Sequence, residues 1–288
     1  MLWAAGALQH RLAQMLLPQL PPHLPPIAVQ VLAQCPSTNS ELVERARVAG
    51  AAFVPCLLVA EQQTQGRGRL GRAWVAAAGS SLTFSLALPL APQSWLGLSL
   101  AVGLALAEAL EPNVFGLAGP RVALKWPNDL WLADAAGGRK LGGILIETVG
   151  AGPRRLCVVG VGLNVLPLPP ALAAGLGREV ACLQEFDDRL TAPATLARIA
   201  PPLVSALSAF EREGFAPLVA RYAARDALRG HPVDSSAPLA CAGVAEGVDA
   251  DGALLLRDGR GALRRILSGE VSVRRRPADL GAAVARAG

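Results

Sequence analysis

Hydrophobic positions recur along this chain at two periods, and the changes between them divide it. Leu8, Leu12, Met15 and Leu16 fall at helical spacing, which predicts a short amphipathic helix over residues 7–17, ended by Pro18. Residues 21–26, four of them proline, hold the chain extended. Strand-like apolar runs follow at Ile27–Leu32, Leu57–Ala60, Leu82–Leu88, Arg121–Lys125, Leu130–Leu132, Leu141–Ile146 and Leu156–Gly160. Helices are expected over residues 41–49, 96–110 and within 195–229. From about Gly230 the pattern shortens to strands near Ala242–Val248, Ala253–Arg257, Ala262–Leu267 and Glu270–Arg274. Two Asp/Gly-rich turns, at 249–252 and 258–261, divide them. The expected division is an N-terminal extension over 1–26, a larger domain over 27–229 and a small domain over 230–288.

Composition narrows the class. Of the 288 residues 52% are hydrophobic and 17% charged, which describes a well-buried globular chain. The longest apolar helix candidate, Leu96–Ala107, stops at Glu108, short of a membrane span, so no membrane partner is expected. A balance of 27 basic against 22 acidic residues gives +5, a weak pull toward anions. Only Lys125 and Lys140 are lysine, so all other basic residues are arginine. Five scattered cysteines without a CxxC pair suit a reducing cytoplasm and argue against a disulfide frame or a zinc site. His10, His23 and His231 lie far from any other candidate chemistry.

The segment with the sharpest chemistry is Gly66-Arg67-Gly68-Arg69-Leu70-Gly71-Arg72. Three glycines allow close backbone approach to a ligand, and three arginines offer planar forks for carboxylate or phosphate. Nothing local is expected to hold these residues, so the loop should order on its ligand. The segment fits GxGxxG in spelling, but a strand-like run follows where a dinucleotide fold needs a helix. Neither the kinase HRD and DFG motifs nor a Walker motif is present. Ser37-Thr38-Asn39 reads as a helix start, with Thr38 and Glu41 spaced as a capping box, or as hydroxyls and an amide open to a polar ligand. Lys125-Trp126-Pro127-Asn128-Asp129 is a strand end and an abrupt turn. The paired Gly142-Gly143 should leave room for a ligand beside a strand, and Asn164 ends another buried run.

Taken together and in order, Ser37-Thr38-Asn39, Gln63, Gly66-Arg67-Gly68-Arg69-Leu70-Gly71-Arg72-Ala73-Trp74, Lys125-Trp126-Pro127-Asn128-Asp129, the run from Lys140 to Glu147 and Gly160-Val161-Gly162-Leu163-Asn164-Val165 resemble the biotin protein ligases. The resemblance covers residues 30–275. It implies an α+β fold: a mixed sheet packed with helices, like that of class II aminoacyl-tRNA synthetases, followed by a small SH3-like barrel. It implies ATP-dependent formation of biotinyl-AMP, with magnesium, and transfer to a lysine of the biotin carboxyl carrier protein of acetyl-CoA carboxylase. By the same resemblance Ser37, Thr38, Asn39 and Gln63 form the polar end of a biotin pocket, with Arg67, Gly68 and Gly143 also bordering biotin. Arg67 and Arg69 hold the carboxylate and phosphate, Lys125 sits between the reacting groups, and Arg69 and Lys125 are the catalytic cations. Trp74 and Asn164, with Arg69 and Lys125, face ATP. Asp129 is the nearest candidate for magnesium. The loop spanning residues 166–177 is similar in place to a nucleotide-closing loop, and Leu70 stands where some members carry another arginine. An opening of 26 residues is too short for a DNA-reading domain, so no operator binding is expected; a homodimer stays open. Two rivals carry different chemistry, a lipoate or octanoyl ligase or transferase of the same fold and a nucleic-acid-binding regulator.

Overall fold

A computed structural model describes residues 5–113, 119–135, 137–150, 154–175, 180–236, 241–267 and 273–275. Seven strands form the larger sheet: β1 (Ala28–Cys35), β2 (Cys56–Gln63), β3 (Ser81–Leu90), β4 (Val122–Lys125), β5 (Asp129–Leu132), β6 (Arg139–Val149) and β7 (Arg155–Asn164). Their spatial order is β1-β2-β3-β7-β6-β5-β4. Only β1 and β2 run parallel; every other neighbouring pair is antiparallel. The sheet is therefore mixed.

Strand alternation decides what each face meets. Leu57 and Val59 of β2, Leu82, Phe84, Leu86 and Leu88 of β3, and Val159, Val161 and Leu163 of β7 join the large core. Helices α1 (Ala5–Leu16), α3 (Leu98–Leu110) and α5 (Ala192–Glu213) complete that core. The residues between them, Cys56, Leu58, Ala87 and Val158, form a smaller cluster with Leu42 and Val43 of α2 (Thr38–Ala49). On this second face Ser85, Gly160 and Gly162 take positions that a packed core would give to large side chains. Their small size lets the start of α2 and the Trp74 ring come close to the sheet, and the candidate pocket lies between them.

The N-terminal helix is part of the core. Leu12 and Leu16 are fully buried, and the Gln19 carbonyl accepts a hydrogen bond from Ser208 Oγ of α5 at 3.4 Å. Leu12→Ala is expected to lower stability by about 2–5 kcal/mol through the cavity it leaves, measured by urea unfolding of the full chain. A loss below about 0.5 kcal/mol, the range of surface substitutions, would mean that α1 only lies on the surface.

The segment after α5 runs through α6 (Val219–Ala223) to the second sheet. Its strands are β8 (Pro232–Ser235), β9 (Ala242–Val248), β10 (Leu254–Asp258), β11 (Leu263–Ile266) and β12 (Val273–Arg275). They pair antiparallel in the order β11-β10-β9-β8-β12. Among the described residues no pairing joins β11 to β12. The expected strand over Glu270–Arg274 begins outside the described residues.

The turn between β9 and β10 locks the two sheets together. Asp249 Oδ1 accepts from the amides of Asp251 and Ala253, both at 2.9 Å, and Gly252 adopts φ +77°. Gly252 then accepts a hydrogen bond from the indole of Trp126 at 3.1 Å. A Cβ on Gly252 would sit 2.8 Å from the Gly97 Cα, so this close approach requires glycine.

Four local expectations are corrected. Ser37, and not Thr38, caps α2, accepting from the Ser40 amide at 3.4 Å, while Glu41 pairs with Arg45 along the helix. The capping box gives way because the Thr38 amide and hydroxyl both donate to Gln63. Gly142 leaves no room for a ligand, since a Cβ there would meet Leu163 Cδ2 at 2.5 Å and the Gly162 carbonyl at 2.6 Å on β7. Strand β8 was not foreseen, because Pro232 and its four-residue length hide it. Within the supposed irregular loop after β7, residues Pro170–Gly175 form a short helix, α4.

Candidate active site

The pocket starts from polar residues that an ordinary core would exclude. Thr38 and Asn39 open α2 and are 3% exposed, and Ser85 on β3 is fully buried. Each is affordable because each is bonded. Gln63 Oε1 accepts from the Thr38 amide at 2.7 Å and from its hydroxyl at 3.2 Å. Asn39 Nδ2 donates to the Leu145 carbonyl at 3.2 Å and to Glu147 Oε2 at 2.9 Å. Ser85 Oγ lies 2.7 Å from Thr38 Oγ1 and 2.6 Å from Asn39 Oδ1, joining the two residues from below. Gly160 makes space for Asn39, whose Oδ1 would lie 2.2 Å from any Cβ built there. Gly162 does the same for the Trp74 ring, at 2.4 Å.

These residues border a cavity beside the start of α2. One end is the polar set Ser37, Thr38, Asn39 and Gln63. Away from that set stand Trp74, Asn128 and Lys140, while Arg67 and Gly68 border the cavity from the loop, Arg67 bonded to Ser40 and Glu147. Between them the apolar side chains of Trp74 and Leu145 line the cavity, and Gly143 leaves an open stretch of backbone. Such a site suits a small acid with a hydrogen-bonding head, an apolar middle and an anionic tail.

The glycine–arginine loop closes over this cavity and is held by its own backbone, contrary to the expectation that nothing local restrains it. The Gly68 amide donates to the Arg72 carbonyl at 2.7 Å, Arg72 to Arg69 at 3.2 Å, and Trp74 to Gly66 at 2.9 Å. Leu70 at its tip has φ +56° and stays half exposed. Arg67 reaches Ser40 Oγ at 3.0 Å and Glu147 at 3.1 Å. Arg69 turns to a neighbouring cavity that shares Ile144 with the first and is also bordered by Trp95, Ser99 and Pro127. Burial pushes its guanidinium below the ordinary arginine value, against the pull of Asp129 and with that of Arg72.

Of the sequence candidates, Ser37, Thr38, Asn39, Gln63, Arg67, Gly68, Trp74 and Gly143 therefore meet at one cavity, and Arg69 lies next to it. Lys125 and Asn164 are not among the residues bordering either cavity. The Lys125 ammonium sits 5.0 Å over the Trp131 ring. Asn164 donates to the Ala181 carbonyl at 3.0 Å, and Ala181 in turn donates to the Lys140 carbonyl at 2.9 Å, so it braces the strand that carries Lys140. The lysine in the pocket is Lys140. Its ammonium pairs with Asp129 and lies 5.9 Å from the Trp74 ring. The scarcity of lysine marked Lys125 and Lys140 alike, and the resemblance chose Lys125, which borders neither cavity. Ser85, Asn128 and Glu147 were also missed, as single polar residues inside apolar strands or a turn. The Trp74 indole N–H is buried and has no hydrogen-bond partner among the described residues, which leaves one donor available to a ligand.

Residues 32–164 match the model of the Biotin/lipoate A/B protein ligase family, and residues 242–274 that of the Biotin protein ligase C terminal domain. The chain is 37% identical over 239 residues to the biotin--[acetyl-CoA-carboxylase] ligase of Paracoccus denitrificans, covering 79% of this chain and 93% of that protein. It is 34% identical over 251 residues to the bifunctional ligase/repressor BirA of Escherichia coli, covering 86% and 74%. A solved biotin protein ligase from Aquifex aeolicus, in complex with biotin and ATP, shares the fold at TM-score 0.69 and 28% identity, with 86% of this chain and 99% of that one covered. Fold and pocket thus define a ligase of the class that joins a small acid to a carrier protein. Within that class the chain belongs to the biotin protein ligase family.

Proposed function

We propose that this chain activates biotin with ATP and transfers it to a lysine of a biotin carboxyl carrier protein. The reading rests on one observation above the rest: one cavity holds both a polar set, Ser37, Thr38, Asn39 and Gln63, and the ammonium-bearing Lys140. A ureido ring offers two N–H donors and one carbonyl acceptor to such a set. The valeryl chain would run along Trp74 and Leu145, bringing the carboxylate toward Lys140.

In the first step a biotin carboxylate oxygen attacks the α-phosphorus of ATP, the bond to the pyrophosphate oxygen breaks, and pyrophosphate leaves. Two anions must approach, so the protein's contribution is position and positive charge. Lys140 is placed to hold a carboxylate and a phosphate together, and Arg69 to take phosphate from the adjoining cavity. Trp74 offers its ring and its unpaired N–H on the nucleotide side. Lys125, behind the turn that carries Asp129, supports the site from a distance. In the second step the carrier's lysine amine attacks the anhydride carbonyl, an amide forms and AMP leaves. Magnesium arrives as the counter-ion of the triphosphate, hence as part of the substrate. Asp129 is committed to Lys140, and among the described residues no three His, Cys, Asp or Glu side chains gather as a metal site. We place the domain junction near residue 229, ahead of β8, and the reaction in the cytoplasm. Among the described residues no helix is long and apolar enough to cross a membrane.

Biotin should support ATP–pyrophosphate exchange and lipoate should not. An apolar dithiolane forgoes the hydrogen bonds that a ureido group would make with the polar end, about 0.5–1.5 kcal/mol for each. Equal exchange with the two acids would return the lipoate ligase reading to first place.

A further inference from the structure

Glu147, near the end of β6, is not among the residues bordering the pocket, yet three parts of the site meet on its carboxylate. Oε2 accepts from Asn39 Nδ2 of α2 at 2.9 Å, and Oε1 accepts from Arg67 Nη2 of the glycine–arginine loop at 3.1 Å. Arg67 continues to Ser40 Oγ, closing a ring from strand to loop to helix. The exposures of the pair, 49% for Arg67 and 25% for Glu147, make its Coulomb energy small. Its geometry matters more. A carboxylate can only accept hydrogen bonds, and so can the Leu145 carbonyl. Both Asn39 amide hydrogens are therefore spent toward β6, and Oδ1 is turned toward Ser85 Oγ and Gly160.

We propose that Glu147 is a positioning residue for biotin recognition: one carboxylate fixes which way the Asn39 amide faces and ties Arg67 down as a strut of the loop. The inference rests on the reading that this pocket takes biotin. It gives Arg67 a role distinct from anion binding, which falls to Lys140 and Arg69. Replacing Glu147 by glutamine keeps the shape but puts an NH₂ donor where one acceptor was. That donor faces either Asn39 Nδ2 or Arg67, so the Asn39 amide loses its fixed orientation or the strut is released.

The test is calorimetric titration of the full chain with biotin alone, alongside KM for biotin and for ATP in pyrophosphate exchange. Glu147→Gln should weaken biotin binding about tenfold or more, the loss of one charge-assisted hydrogen bond. The KM for ATP and kcat should stay within about twofold, a shift under 0.5 kcal/mol. Arg67→Ala should show the same selective loss, and the double variant should be no worse than the worse single one. Biotin binding unchanged in Glu147→Gln, a matching rise in the KM for ATP in either variant, or additive losses in the double variant would each overturn the proposal. Should Glu147→Gln fail to fold, Arg67→Ala carries the test alone, since half of its side chain already faces solvent. A wild-type chain that takes up no biotin would remove the reading beneath, whereas wild-type binding matched by Glu147→Gln removes only the role of Glu147.

Discussion

Lys140→Ala is expected to slow adenylate formation by about 10²–10³-fold, the usual consequence of removing one preorganised charge from a transition state. Its side chain is 14% exposed, with the ammonium flanked by Asp129 and the Trp74 ring, so few waters can replace it. As carboxylate and phosphate approach, negative charge concentrates where that ammonium stands. The effect should fall on kcat more than on biotin affinity, because the charge is needed most when both anions are present. Lys140→Arg should rescue poorly, since a planar fork does not fit between two anions as a compact ammonium does. Lys125→Ala should cost less than about tenfold, as the loss of an aromatic contact worth roughly 0.5–1 kcal/mol. Pyrophosphate exchange with all three variants checks this. If Lys125→Ala proved the more damaging, the motif-based assignment would stand and the geometric one would fall.

Gly160→Ala should abolish biotin binding by more than about 100-fold, or 2.7 kcal/mol, while the chain still folds. No unusual backbone angle is involved at Gly160, so the effect is steric. The new methyl would meet Asn39 Oδ1 at 2.2 Å, Cγ at 2.8 Å and Nδ2 at 3.2 Å. Asn39 cannot yield without losing its bonds to Leu145, Glu147 and Ser85. Overpacking of this kind costs roughly 1–3 kcal/mol of stability, and here the displaced group is also a recognition group. Gly259→Ala, with no atom within 4 Å of the added methyl, is the control and should change neither property. Biotin titration and thermal melts of both variants decide the matter; tight binding by Gly160→Ala would show that Asn39 plays no part in recognition.

The polar end of the pocket was legible because hydroxyls and amides at Ser37, Thr38, Asn39 and Gln63 interrupt segments otherwise built for burial. The loop was legible because three arginines and three glycines have no packing use. What the sequence withheld was depth. Lys125 and Lys140 each adjoin an aromatic or a glycine motif, and only the register of β5 against β6, which opposes Asp129 to Gly143 and Trp131 to Lys140, brings Lys140 into the cavity. Gly142 and Gly143 look alike in the chain, yet alternation along β6 presses one against β7 and exposes the other to the pocket. Glu147 ends a familiar motif, but its role depends on Asn39 and Arg67, 108 and 80 residues earlier. No local pattern encodes so distant a meeting.

Trp126 is 1% exposed, and its single polar atom is capped by the carbonyl of Gly252, from the smaller sheet. Were that sheet to melt first, the indole N–H would be left unpaired in an apolar interior, at a cost of about 1–3 kcal/mol. Water would have to enter beside residues 126–129 to relieve it, loosening the turn from which Asp129 holds Lys140. Heat inactivation would then track the melting of the smaller sheet, and the enzyme's thermal ceiling would be set at Gly252 and not among the residues of the polar pocket.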